Sequence, residues 1–349
     1  MLIEIPAMLH PRRNAAPLFV AFSMLLAGAY SMLRAEPDAG ELVHDFSGSL
    51  VFIEGGGGAG SGFICKWTDG IFITTNQHVL AAMPTVKITR LDLARVPAGA
   101  VQAAVGHDIM RLATTDVPNP LVASENVESD ARIGDDVIVL GNSEGARVIQ
   151  PLAGKLLGIG PDRIEVSAEF VPGNSGSPII HVKSGKVIGI ATYLKTREFP
   201  EFSDRRESRV RRFGYRLDSV KQWQPVTWNV YQSEKAEADR VEATTKDLMR
   251  LIRVMRDDAR MNAGEFSNPA VNRTVRDFLQ GTEKQKLSAV DRTRATQNFL
   301  ASIRSATMSD ITQARQRLRY DFFRQSVEEQ AEIREQMFQL FDRLLKSKQ

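Results

Sequence analysis

The sequence predicts an all-β domain, a sandwich or a barrel, followed by an α-helical region. Three observations carry this. From Leu50 to about Trp228, short β-branched and aromatic runs alternate with Gly, Asn, Asp and Pro punctuation, without helical periodicity between them. After Trp228 the apolar period becomes that of amphipathic helices. With 43% hydrophobic and 25% charged residues, the 349-residue chain has a globular composition and length for about two domains.

In chain order, Arg12 and Arg13 precede an uncharged run from Asn14 to Leu33 that ends at Arg34. Residues 1–35 therefore read as a signal peptide or an N-terminal membrane anchor, with residues 14–33 as the part that would meet a bilayer. Cleavage near Ala27-Gly28-Ala29 is the preferred reading. Either way the rest of the chain is exported: periplasmic or secreted, or tethered to the inner membrane.

The β domain is expected over residues 40–230. Its strand candidates are "SLVFIE", "GSGFICKW", "GIFITTN", "TVKITRL", "DDVIVLGN", "RIEVSAEF", "SPIIHV" and "KVIGIATYL". The run "GGGGAG", Gly55 to Gly60, satisfies G-x-G-x-x-G, but strands rather than a helix follow it, so it reads as a flexible connection and not a nucleotide site. The helical region is expected over 235–349, coiled-coil-like. It has an apolar face through Leu248, Leu251, Ile252, Met255 and Ala259, and a helix start at Asn268-Pro269 with a stop at Gly281. A long amphipathic stretch follows from Ser309 to Lys348.

Charge excludes one class of function. The net charge of +3 is too even for a nucleic-acid-binding surface. The arginine-rich "DRRESRVRRFGYR" reads as a solvated loop interleaved with acids. Cys65 is the single cysteine, so no disulfide can form within the chain, and inside "GFICKW" it reads as a small buried hydrophobe. No cofactor and no metal are expected.

"VPGNSGSPII", residues 171–180, places Ser175 between two glycines. A serine hydroxyl is a weak nucleophile unless a base, an orienting acid and an oxyanion site accompany it. His78 in "IFITTNQHVLAA" is the candidate base, where a β run passes into a short helix. Asp108 in "GHDIMRL" is the candidate acid, since a carboxylate before an apolar strand needs a partner. Asp92 in "RLDLARV" is its rival.

The order His78, Asp108, Ser175, with "GSGFICKWTDGIFITTNQHV", "HDIMRL" and "GNSGSP", resembles the chymotrypsin-fold (trypsin-like) serine peptidases, most closely their bacterial HtrA/Deg-like branch. The likeness covers about residues 47–225. "IGDDVIVLGNSEG" and "KVIGIATYL" are similar to strands of that branch's second barrel, and "RFGYRLDSVKQW" to its last strand and closing helix. The resemblance implies a double β-barrel. It also implies acyl transfer with Ser175 as nucleophile, His78 as general base and acid, Asp108 as orienting acid, and the Gly173 and Ser175 N–H groups as the oxyanion hole.

By the same resemblance Glu169, six residues before Ser175, would sit at the base of a specificity pocket with Ala191 on the opposite wall. Asn174 stands where digestive relatives carry an acid that pairs with a new N-terminus, so activation by that ion pair is not expected. No PDZ domain is recognisable. The expected partners are polypeptide substrates, with self-association through the C-terminal helices and a role in protein quality control. The competing reading is a catalytically silent peptidase-fold scaffold whose helices bind a partner.

Overall fold

The computed structural model describes residues 44–115, 119–192, 210–257, 259–283 and 287–347. The leader, residues 1–35, lies outside the described residues, as do Arg205, Arg206 and Arg209. Among the described residues no helix is long and apolar enough to cross a membrane.

The first β unit comprises β1 (Leu50–Gly55), β2 (Gly58–Trp67), β3 (Gly70–Thr75), β4 (Lys87–Arg90), β5 (Val101–Ala104), β6 (Met110–Ala113) and β7 (Leu121–Val122). The order is β5-β6-β3-β2-β1-β4, and β7 pairs with β2. The second unit is a closed barrel of β8 (Asp136–Asn142), β9 (Ile149–Ile159), β10 (Arg163–Val166), β11 (Pro178–His181), β12 (Val187–Thr192) and β13 (Arg212–Arg216). β14 (Trp223–Pro225) returns to the first sheet and pairs with β5. The expected strands are present, and the choice between sandwich and barrel resolves as a closed six-stranded barrel beside an eight-stranded sheet.

Two local expectations change. "GGGGAG" is a tight hairpin rather than a flexible connection. Gly55 pairs with Gly58, and the two central glycines take φ of 56° and 87°, the pair of positive angles a type I′ turn demands. "LDSVKQW" is not a closing helix but the irregular passage from β13 into β14.

Four long helices follow: α3 (Trp228–Arg256), α4 (Pro269–Glu283), α5 (Ala289–Arg317) and α6 (Asp321–Ser347). Two short ones, α1 (Gln77–Ala81) and α2 (Val127–Asp130), lie within the β units. The helical region starts at Trp228 rather than 235, directly after the strand that Pro225 ends. α3 stops at Arg256, so Ala259 is not on its face. Asn268 caps α4 by accepting the N–H groups of Ala270 and Val271, and α4 runs past Gly281 to Glu283.

The stretch from Ser309 onward is two helices. It breaks at Leu318-Arg319-Tyr320, where the buried Glu234 carboxylate on α3 accepts the N–H groups of Arg319 and Tyr320 at 2.9 Å each. A distant side chain supplies the cap that the local sequence lacks.

The helices are not a separate body. Tyr231, Val241, Ile311, Leu318, Phe323 and Val327 bury in one continuous core with Ile64, Ile73, Leu80, Met83 and Leu112 of the first sheet. The outer ends of the helices build a second core around Leu251, Val275, Phe299, Ile303 and Phe341. Between them Arg334, fully buried, donates to Asp310, Thr245, and the carbonyls of Val241 and Thr307, tying α6 to α5 and α3.

Candidate active site

β3 ends in Thr75, and Asn76 in extended conformation turns the chain into α1, where His78 is the second residue. Val79, Leu80 and Ala81 bury beneath it, which fixes the helix against the first sheet. Asp108 lies on the hairpin loop between β5 and β6. Its carboxylate takes two hydrogen bonds from one residue: His78 Nδ1 at 2.6 Å and the His78 backbone N–H at 3.0 Å. The bond to Nδ1 assigns its proton there and leaves the lone pair on Nε2.

Burial pulls the His78 pKa down. The Asp108 charge and hydrogen bond more than offset this, so it ends above the ordinary imidazole value. Asp92 is no rival. It is exposed and accepts from the Ala94 N–H in a surface turn. Two other described histidines serve the fold: His107 bonds Ser219 and the Val105 carbonyl, and buried His181 bonds Asp135 and Ser184, while His44 is exposed.

The Asp108 backbone is held as well. Buried Asn76 donates through Nδ2 to the Asp108 carbonyl at 2.7 Å and to Thr192 Oγ1 at 2.9 Å, linking the loop to β12 of the other barrel. Gln77 donates through Nε2 to the Ala104 and His107 carbonyls at 3.0 and 2.7 Å.

Ser175 sits at the junction of two turns. The Asn174 N–H donates to the Val171 carbonyl at 3.0 Å, with Pro172 fixing one central φ and Gly173 at 98°, the pattern of a type II turn. The Ser177 N–H donates to the Asn174 carbonyl at 2.9 Å, with Gly176 at 88° as the second turn's positive-φ residue. The Gly176 N–H is donated to the Ala191 carbonyl at 3.0 Å. From 173 to 177, only the Gly173 and Ser175 N–H groups donate to no described residue. Two neighbouring undonated N–H groups are a ready anion site.

Gly176 packs against the first sheet. A Cβ there would lie 2.1 Å from the Ser61 carbonyl oxygen and 2.5 Å from Thr75 Oγ1, so its space belongs to the first sheet. Ser61 on β2 is the residue sequence reasoning missed. Its N–H donates to the Ser175 carbonyl at 3.0 Å, its hydroxyl donates to the Gly173 carbonyl at 2.8 Å, and that hydroxyl accepts the Asn142 N–H. The signal was the "GSG" within an apolar strand, where a small buried polar residue needs partners.

Asn174 is buried. Its Oδ1 accepts the Val171 N–H at 2.9 Å and its Nδ2 reaches Ser143 Oγ at 3.2 Å. The loop is thus locked by its own amide, without an ion pair to a chain terminus. Ser175 Oγ makes no hydrogen bond to any described residue, His78 included. Such bonds often form only once substrate is bound.

Glu169 is exposed between buried Ala168 and Phe170. Ala191 is fully buried in the second-barrel core, with its backbone bonded to Gly176 and Ser177. The two are therefore differently placed, one facing solvent and the other packed beside the Ser175 loop. Cys65 is buried, and burial pushes its thiol pKa up. Arg211, Arg212 and Arg216, the described part of the arginine-rich segment, bond Glu165, the Phe170 carbonyl, and Asp218 with Glu128.

Residues 60–190 match the family described as trypsin-like peptidase domain. No curated protein sequence matches the chain. Among solved structures it is similar to an inactive form of Rv3671c from M. tuberculosis H37Rv, with 23% identity over 53% of this chain and 91% of that one, TM-score 0.41. A serine endoprotease from Yersinia pestis gives 20% identity over 52% and 64%, TM-score 0.40. The HtrA-type protease AlgW with tripeptide gives 22% over 53% and 61%, TM-score 0.41. His78, Asp108 and Ser175 all lie within residues 60–190, the stretch similar to a trypsin-like peptidase domain.

Proposed function

We propose that the chain is an exported serine endopeptidase that cleaves polypeptides through an acyl-enzyme at Ser175. The observation that carries this reading is the pair of undonated N–H groups, Gly173 and Ser175, on a serine loop in the same domain that holds His78 against Asp108 at 2.6 Å. In the reaction, Ser175 Oγ bonds to the scissile carbonyl carbon as its proton passes to His78 Nε2. The Gly173 and Ser175 N–H groups take the developing oxyanion. The carbon–nitrogen bond then breaks as His78 gives that proton to the leaving amine. Water, deprotonated by His78, attacks the acyl-enzyme and releases Ser175 with its proton restored.

Asp108 keeps the ring oriented throughout and stabilises the imidazolium, without itself taking the proton. Protein quality control is the proposed setting, and Glu169 the proposed selector of a basic residue before the cleaved bond. A second reading, the silent scaffold, draws on the absence of a hydrogen bond from Ser175 Oγ to His78. Labelling of the full chain with a fluorophosphonate separates the two. The peptidase reading expects covalent modification at Ser175, and a loss of turnover on the order of 10⁴-fold in Ser175→Ala. Absence of labelling in the folded wild type would leave the scaffold.

A further inference from the structure

The loop carrying Asp108 is gripped by the C-terminal helices. The Gly106 N–H, two residues before Asp108, donates at 2.8 Å to Oδ2 of Asp321, the first residue of α6. That carboxylate is fixed in turn by Gln325 Nε2 at 2.8 Å and Arg324. On the other side of the loop, the Tyr231 hydroxyl on α3 donates to Gln77 Oε1 at 3.2 Å.

This second bond has a directional consequence. A glutamine amide presents an acceptor at one end and two donors at the other. With Oε1 committed to Tyr231, Nε2 turns its two hydrogens to the Ala104 and His107 carbonyls, one at each end of the loop. A flipped amide would set oxygen against both carbonyls. Tyr231 itself cannot swing, because it is fully buried against Tyr320 and Phe323, with ring centroids at 5.0 and 4.6 Å. Gln77 immediately precedes His78, so one side chain joins the helix bearing the ring to the loop bearing its carboxylate.

We infer that the helical region supplies positioning residues for the acid–base pair: Tyr231, acting through Gln77, and Asp321, acting on Gly106, hold the 104–108 loop so that Asp108 meets His78. The inference rests on the reading of His78 and Asp108 as that pair. The titratable groups facing the loop are Tyr231 and Asp321 from the helices, Tyr215 from β13, and His107 within the loop itself, while Glu234 lies near Tyr231. Beyond the apolar core they share with the first sheet, the helices place one hydrogen bond on the loop itself and one on the Gln77 amide that joins the loop to α1.

The test uses the full chain and the variants Tyr231→Phe and Asp321→Ala, with Arg315→Ala as a control. Arg315 joins α5 to α6 through the Glu328 carboxylate, not through the loop. Each positioning variant is expected to slow fluorophosphonate labelling of Ser175 on the order of 10-fold and to move the pH midpoint of that rate. In a Ser175→Ala background each should also shift or broaden the downfield proton resonance of His78 Nδ1–H. Arg315→Ala should label as the wild type does.

Wild-type rates, pH midpoints and resonance in both positioning variants would overturn the inference. If Tyr231→Phe fails to fold, Asp321→Ala, which removes a side chain 21% exposed at a helix start, decides alone. If the wild type does not label, the peptidase reading falls, while the His78 resonance in the Ser175→Ala proteins still decides whether the helices position the pair.

Discussion

Asp108 grips both the ring and the backbone of His78, and the pH response of the site follows from that grip. The protonated ring cannot accept the Ser175 proton. Because the His78 pKa is raised, kcat/KM should climb with pH through a midpoint above ~6.5, the ordinary imidazole value. Asp108→Asn removes both raising influences and leaves burial, so the midpoint should fall below ~6.5 while the plateau drops on the order of 10⁴-fold. A pH–rate profile of the two proteins checks both directions. The same sign governs stability: the pair's contribution is whole below the unfolded-state pKa and is lost as pH rises through the folded one.

Gly176 offers a second check at this scale. Gly176→Ala meets both a φ of 88° and the Ser61 carbonyl, so it should cost more than about 2 kcal/mol in a denaturant titration and abolish labelling. The roles of Ser61 and Gln77 could not be read from the chain, because each depends on partners far away in sequence. His78, Asp108 and Ser175 were singled out differently. Each local setting alone fits a structural residue equally well, and it was their order and the family resemblance that drew them together.

Among the elements, legibility followed β-branched content. β1, β3, β8, β11 and β12 are runs of Val, Ile and Phe buried on one or both faces, and the strand pattern marked them. β9 escaped because Pro151, Gly154 and Gly158 interrupt the alternation, and its place is set by pairing with β8 along seven residues. The break between α5 and α6 left no local trace, since Leu318-Arg319-Tyr320 contains neither Gly nor Pro and the cap comes from Glu234.

The helices also depend on a buried charge. Arg334→Ala leaves Asp310 without its ion-pair partner in the bundle and should cost about 3–5 kcal/mol. Replacing both partners, as Arg334→Met with Asp310→Leu, should recover most of that loss by thermal melting.

Across the whole molecule, the first sheet and the helices share one core, so they should behave as one cooperative unit. Removing residues 228–349 would uncover Ile64, Ile73, Leu80 and Met83, an apolar face that monomeric soluble proteins do not leave bare. The remaining 44–227 fragment is expected to aggregate or to lack a sharp melting transition. The full chain should show no separate low-temperature transition for the helices. A fragment that melts sharply and labels at the wild-type rate would refute this.

The bond between Gly106 and Asp321 spans 215 residues. During synthesis the chain emerges with Ser175, His78 and Asp108 long before α6, and closing so distant a contact is among the slower events of folding. The loop that carries Asp108 is therefore clamped only once α6 has been made. Chains that stop short of α6 hold His78, Asp108 and Ser175 yet lack the clamp, so on the proposed function labelling of Ser175 should lag behind the synthesis of α6.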